Sequence, residues 1–196
     1  AIITYLPWLV VAFLTWTATR MSWRELAFVA LMVVAVDGLK PQPAYTLPQP
    51  FLRTFGETDA PEAFLRFCEV QITECEPQNI GASLPDDWLD DLETVNTGVN
   101  HAIRSGDDVT LYGRAEWWAI PLDGAGDCED FALLKRRMLM NLGWPSSALL
   151  IATTWNHAVL IARTPLGDLI LDNVTSDIAI WHRTPYRILM IQSPRD

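Results

Sequence analysis

The sequence predicts an α+β domain in which helices come first and an antiparallel sheet follows. Three observations predict it. Apolar residues recur at helical spacing through residues 60–142. From Leu149 onward the apolar period changes to two, with a Thr164-Pro165-Leu166-Gly167 turn between two of the alternating runs. The chain also has the substance for one core, with 196 residues that are 50% hydrophobic and 19% charged. That composition excludes a disordered segment, and no internal period points to a repeat protein.

Two apolar runs precede the domain. Ile2 to Trp16 is a short spanning candidate interrupted by Thr4, Pro7 and Thr15. The second run resembles a signal peptide beginning at Met21, with Arg24 before an apolar stretch from Leu26 to Val36 and small residues up to Ala44 for cleavage. Residues 1–44 are therefore expected to be an export signal or membrane anchor that runs into a proline-rich linker (Pro41, Pro43, Pro48, Pro50). The alternative is a pair of buried helices, although neither run has a polar face. Residues 45–196 are expected to form an exported domain that meets a membrane only through the N-terminal segment.

Ala60 to Glu76 reads as the first helix, with Phe64, Phe67, Val70 and Ile72 at apolar positions. In a continuous helix Cys68 and Cys75 stand roughly 10 Å apart, too far for a disulfide; a break before Thr73 would let them meet. A disulfide and two free core thiols both remain open. Pro85 to Arg104 carries one stripe, Trp88, Leu92, Val95, Val99 and Ile103. Asp86, Asp87, Asp90 and Asp91 crowd its start, where the helix dipole favours negative charge, and read as capping. His101 falls on the solvated flank. Asp127 to Leu142 is the third helix, with Ala132, Leu133, Met138, Leu139 and Leu142 facing inward and Gly143 ending it. Lys135, Arg136 and Arg137 are expected on its outer face, solvated or snorkelling.

Leu149–Thr153, His157–Arg163, Asp168–Asp172, Asp177–Trp181 and Tyr186–Gln192 read as strands. If Arg163 faces Asp168 across the turn, Val159 faces Asp172 and His157 faces Val174. Strand parity then puts His157 and Asp172 on one side of the sheet as diagonal neighbours.

A formal net charge of −10 argues against a nucleic-acid partner. Three cysteines make neither a disulfide scaffold nor a zinc site. Chemistry concentrates in Asp123-Gly124-Ala125-Gly126-Asp127-Cys128-Glu129-Asp130-Phe131-Ala132. The glycine loop delivers Cys128 to the first turn of a helix, where free N–H groups and the dipole favour a thiolate. Asp127, Glu129 and Asp130 push the other way unless something positive sits nearby. Cys128 as nucleophile, His157 as base and Asp172 as the carboxylate that orients it form an allowed catalytic set. A buried inert Cys128 and a satisfied core His157 are the plainer alternative on spacing alone.

Tyr112-Gly113-Arg114-Ala115-Glu116-Trp117-Trp118, Pro121, the Gly124-to-Ala132 run with Lys135-Arg136, His157-Ala158-Val159-Leu160 and Leu169-Ile170-Leu171-Asp172-Asn173 resemble the signature of the bacterial transglutaminase-like cysteine proteinases. The resemblance spans about residues 51–192. It implies a papain- and transglutaminase-like core, a catalytic cysteine at a helix N-terminus packed against an antiparallel sheet. It carries Cys128, His157 and Asp172 over as the triad of a cysteine protease.

One branch of that family is periplasmic, calcium-dependent and trims large surface adhesins in biofilm control. By that likeness the expected partners are a protein substrate such as an adhesin and a membrane-bound inhibitory regulator, and Asp127 and Glu129 are the expected calcium ligands. Asp123, Asp127, Glu129 and Asp130 offer the hard oxygens Ca²⁺ prefers, though not at EF-hand spacing. The Cys128 N–H is the natural first oxyanion donor, with Trp117 or Trp118 as a second donor or a cleft wall. Acyl transfer to an amine uses the same triad and stays open, as does a non-catalytic calcium-regulated binding module. His182 shares no motif and reads as surface.

Overall fold

The computed structural model describes residues 49–79 and 81–194, so the expected signal or anchor, residues 1–44, lies outside the described residues. Among these, no helix is long and apolar enough to cross a membrane. The first helical stretch breaks at Gln71 into α1 (Glu62–Val70) and α2 (Ile72–Cys75). Gln71 leaves helical geometry with φ −113° and ψ 56°. The break brings the Cα atoms of Cys68 and Cys75 to 5.6 Å, and a disulfide joins them. Val70, the last residue of α1, and Ile72, the first of α2, flank the break, and both expected core residues are exposed.

Helix α3 (Trp88–Ala102) follows the predicted stripe, with Leu92, Val95 and Val99 buried and Trp88 and Ile103 packed against them. Asp90 and Asp91 lie in its first turn, where the dipole favours them, although Asp87 at the N-cap makes no side-chain cap. Asp91 also accepts the indole N–H of fully buried Trp144 at 3.0 Å. Two features lack a sequence period. β1 (Arg104–Ser105) pairs in parallel with β2 (Ala125–Gly126), and α4 (Asp108–Tyr112) lies between them, capped by Asp107 on the N–H of Thr110.

Helix α5 (Cys128–Asn141) is the centre of the core. Phe131, Ala132, Leu133 and Leu139 share one cluster with Leu92, Val95 and Val99 of α3 and with Leu149, Leu160 and Leu171 of the sheet. Because α5 is packed on both sides, it has little outer face, and the expected solvated cations are buried. Lys135 is 1% exposed and Arg136 2%. Backbone carbonyls receive them: Arg136 donates to Leu149 O (3.1 Å) and Glu74 O (2.5 Å), and Lys135 to Asp172 O (2.9 Å). Arg137 pairs with the Glu74 carboxylate at 2.7 Å. Met138 and Leu142, expected inside, are instead exposed near the helix end.

The sheet is antiparallel throughout, in the order β6–β5–β4–β3–β7. Its strands are β3 (Leu149–Thr153), β4 (Ala158–Thr164), β5 (Gly167–Leu171), β6 (Ala179–Ile180) and β7 (Met190–Ile191). Arg163 faces Asp168 as the turn chemistry predicts. The last two strands are much shorter than their apolar runs. Leu52, Trp181, Tyr186, Ile188 and Ile191 cover the second face, over Leu150, Val159, Ile161 and Ile170. At one end Gly167 has φ +122°, and a Cβ there would stand 2.4 Å from the Pro50 carbonyl, so this close approach of two chains requires glycine.

Candidate active site

Cys128 opens α5 directly after β2, whose pairing with β1 fixes the glycine loop to the rest of the domain. Asp127 occupies the N-cap in extended geometry, and its carbonyl accepts the Phe131 N–H at 3.1 Å, closing the first turn. Gly126 packs on Asp130, since a Cβ there would lie 2.7 Å from the Asp130 Cβ and carboxylate. Absence of a side chain at Gly126 is what lets the loop fold over the helix start.

His157 closes the hairpin between β3 and β4. The Thr154 N–H donates to the His157 carbonyl at 2.8 Å, leaving Trp155 and Asn156 at the exposed tip. Pairing of β4 with β5 ends at Leu160 and Leu171, so His157 and Asp172 sit just past their strands rather than within the ladder. They still meet. His157 Nε2 lies 2.8 Å from Asp172 Oδ1, with the two side chains 14% and 3% exposed. A carboxylate only accepts, so Nε2 carries the proton and Nδ1 keeps its lone pair.

Asp172 is held from every side. Oδ1 also accepts the Val174 N–H at 3.1 Å, and Oδ2 accepts the Tyr186 hydroxyl. Its main-chain carbonyl accepts from Asn100 at 2.8 Å and Lys135 at 2.9 Å. Burial opposes the charge on Asp172, but the hydrogen bonds from His157, Tyr186 and Val174 outweigh it and hold the carboxyl below its ordinary pKa. The Tyr186 ring stands 5.3 Å from the imidazole.

The thiol lies beside this pair and amid acids. Cys128 Sγ accepts the N–H of Ala158, the residue after His157, at 3.3 Å, and donates to Glu129 Oε2 at 3.1 Å. Burial first, then the charge and hydrogen bond of Glu129, push the thiol up to about 12, against the opposite pull of the Ala158 N–H. A thiol so placed is protonated at neutral pH. Burial, more than the flanking acids, sets the direction of that shift.

Asp108, Asp127 and Asp130 each bring one carboxylate oxygen within 4.8 Å of the others. Asp108 accepts the Trp117 N–H, and Asp130 accepts the Ala119 N–H at 2.8 Å, so both are aimed by the segment between α4 and the glycine loop. Yet Asp108 Oδ1 and Asp127 Oδ1 are buried with no hydrogen-bond partner, and Asp108 is only 5% exposed. Burial and mutual repulsion raise Asp127 to about 8, and burial raises Asp130 to about 7. Two partnerless carboxylate oxygens beside a third carboxylate are ligands that could hold a hard cation. Glu129 lies next to Asp127 and adds to the rise of its pKa.

Of the residues expected from sequence, the structure brings His157 and Asp172 into contact beside Cys128, puts Asp127 with Asp108 and Asp130, and turns Glu129 to the Cys128 thiol. Asp108, Asn100 and Tyr186 were not among the expected site residues. Asp108 and Asn100 have no motif to mark them, and Tyr186 is marked only as the start of an expected strand. Trp118 is buried edge-on against Phe64, and Trp117 lies under the Arg114 guanidinium. His101 is exposed, whereas His182 is half-buried against Trp181.

Residues 54–196 match the family model of the bacterial transglutaminase-like cysteine proteinases (BTLCP). Among solved structures the chain is similar to Legionella pneumophila LapG. The calcium-bound form is 26% identical over 67% of this chain and 75% of that one, with a TM-score of 0.48. The EGTA-treated form is 25% identical over 67% and 73%, with a TM-score of 0.49. A search of curated proteins finds no match.

Proposed function

The chain belongs to the bacterial transglutaminase-like cysteine proteinases, and on that premise we propose that it cleaves a protein substrate with Cys128 as nucleophile, His157 as general base and Asp172 as the carboxylate that orients the base. The observation that carries this reading is the 2.8 Å bond between His157 Nε2 and Asp172, made beside a thiol that is hydrogen-bonded to the residue following His157. With Nε2–H committed to Asp172, Nδ1 is the atom free to take the thiol proton. The Cys128 thiolate attacks the peptide carbonyl, and the oxyanion faces the N–H groups at the start of α5. The imidazolium returns its proton to the leaving amine, and water activated by the neutral ring hydrolyses the thioester.

Asp108, Asp127 and Asp130, with Glu129 beside them, would hold calcium. When bound, the ion supplies positive charge that offsets the acids raising the thiol pKa. The partnerless buried oxygens of Asp108 and Asp127 support this. The disulfide supports an oxidising compartment, consistent with export to the periplasm and with a substrate outside the cytoplasm such as a surface adhesin, under the control of a membrane-bound inhibitor.

The test is digestion of a proteome-derived peptide library by the purified protein and by Cys128→Ala, with calcium present. Cleavage by the first and none by the second is expected. Equal cleavage by both would end the cysteine-protease reading.

A further inference from the structure

A lysine is seldom fully buried unless it is paired. Lys135 is 1% exposed, yet the one hydrogen bond its ammonium makes among the described residues is to the main-chain carbonyl of Asp172. Its neighbour Arg136 is equally buried but binds carbonyls of Leu149 and Glu74, which are structural contacts away from Cys128 and His157. Lys135 is different because its acceptor belongs to the residue that bonds to His157. The same carbonyl takes a second donor, Asn100 Nδ2 at 2.8 Å, from another helix. Asn100 also reaches Thr175 O at 3.1 Å, and Asn96, one turn earlier, holds Ser176 O at 3.0 Å. Two helices therefore grip the chain where it leaves β5, one residue past the last ladder pair.

This grip replaces something the sheet does not supply. The pairing of β4 with β5 stops at Leu160 and Leu171, so no strand bond sets the backbone of Asp172. Without the two donors its carbonyl would be buried and unsatisfied. Rotation of that peptide would swing the carboxylate away from His157.

We propose that Lys135 and Asn100 clamp the main chain of Asp172 and thereby aim its carboxylate at His157, which makes both of them positioning residues for the reaction. The ammonium has a second role that the amide of Asn100 lacks. When protonated it also interacts through its charge with the Asp172 carboxylate, which raises the lysine against the lowering by burial. Catalysis tolerates little misplacement, and an error of about 1 Å in a catalytic group costs about a hundredfold in rate.

This inference rests on the triad reading above, and its test separates the two. Lys135→Met keeps the length of the stem and removes the donor and charge. Asn100→Ala removes the second donor and leaves the lysine. Each is compared with the full chain for steady-state cleavage of a library-selected peptide, for melting temperature, and for the downfield proton resonance of the His157 Nε2–H bonded to Asp172. For Lys135→Met the expected result is a fall in kcat of about a hundredfold with KM within about twofold, an unlowered melting temperature, and loss or upfield movement of that resonance. Asn100→Ala is expected to lose less, with a resonance moved in the same direction.

Wild-type kcat in Lys135→Met, or a reduced kcat with the resonance unmoved, overturns the clamp. If Lys135→Met does not fold, an unchanged kcat and resonance in Asn100→Ala overturn it. If the parent protein cleaves nothing, the triad reading fails, and the resonance in the two variants still decides whether the clamp exists.

Discussion

At the scale of single residues, the account turns on three side chains whose environments oppose one another. Cys128 needs to lose a proton, and burial with the neighbouring Glu129 pushes it up to about 12. His157 needs a fixed tautomer, which Asp172 imposes. Replacing Asp172 by Asn should therefore cost kcat heavily, by roughly 10⁴ if the amide leaves the imidazole in the wrong tautomer as in the serine triad. Steady-state kinetics check this, and a loss below about tenfold would mean that another group orients His157. Tyr186→Phe removes only one donor to Asp172 Oδ2, so its effect should be far milder, within about tenfold in kcat, with the Asp172 carboxyl easier to protonate. The two residues differ in legibility. Asp172 follows from strand register and a turn, since Arg163 does face Asp168. Tyr186 comes from a loop that the period-two reading took as strand, and only the packing of that loop on the second sheet face brings it to the site.

At the scale of elements, the junction of β2 and α5 is where the sequence was most informative. Its glycines and the cysteine predicted a tight loop into a helix start, and the loop is there for a steric reason at Gly126. Gly126→Ala should push the Asp130 carboxylate out of its place, because the new Cβ would meet it at 2.7 Å. A lowered melting temperature and a weakened response to calcium, read by thermal melts with and without the ion, are the expected outcome; an unchanged melt with a full response would contradict it. The neighbouring α5 cations were misread for a physical reason. Helical periodicity reports which residues are apolar, not how many partners a helix has. A helix packed between α3 and a sheet has little solvent face, so Lys135 and Arg136 are inside despite their charge. The broken first helix is a related case: its apolar spacing looked continuous, while the Cys68–Cys75 bond needs the interruption at Gln71.

At the scale of the whole molecule, the acid cluster sets how stability depends on pH. Burial raises Asp127 to about 8 and Asp130 to about 7 from 3.8, and raises Asp108 and Glu129 as well. Between those values and 3.8 the folded state holds protons that the unfolded chain has released. Stability from these groups is therefore full below pH about 4 and is lost as pH rises through about 7 to 8. Lys135 acts oppositely, since burial lowers it to about 7, but only above that pH. Melting temperatures of the chelated protein should fall from pH 5 to pH 8, and calcium should remove most of the fall, because an ion that binds only the folded state stabilises it by mass action. A flat profile that calcium leaves unchanged would remove the cluster from the account. The fold class was legible because a change of period from helical to two survives any detail of packing. The acid cluster was partly legible, since Asp127 and Asp130 flank the cysteine whereas Asp108 reaches them only through the tertiary path of α4. The most direct measurement is mass spectrometry of the protein after reaction, at neutral pH with calcium, with a peptidyl probe bearing a thiol-reactive carbonyl. The account predicts one adduct, on Cys128, formed much more slowly when His157 is replaced by Ala. Labelling elsewhere, or labelling of Cys128 at the same rate without His157, would contradict it.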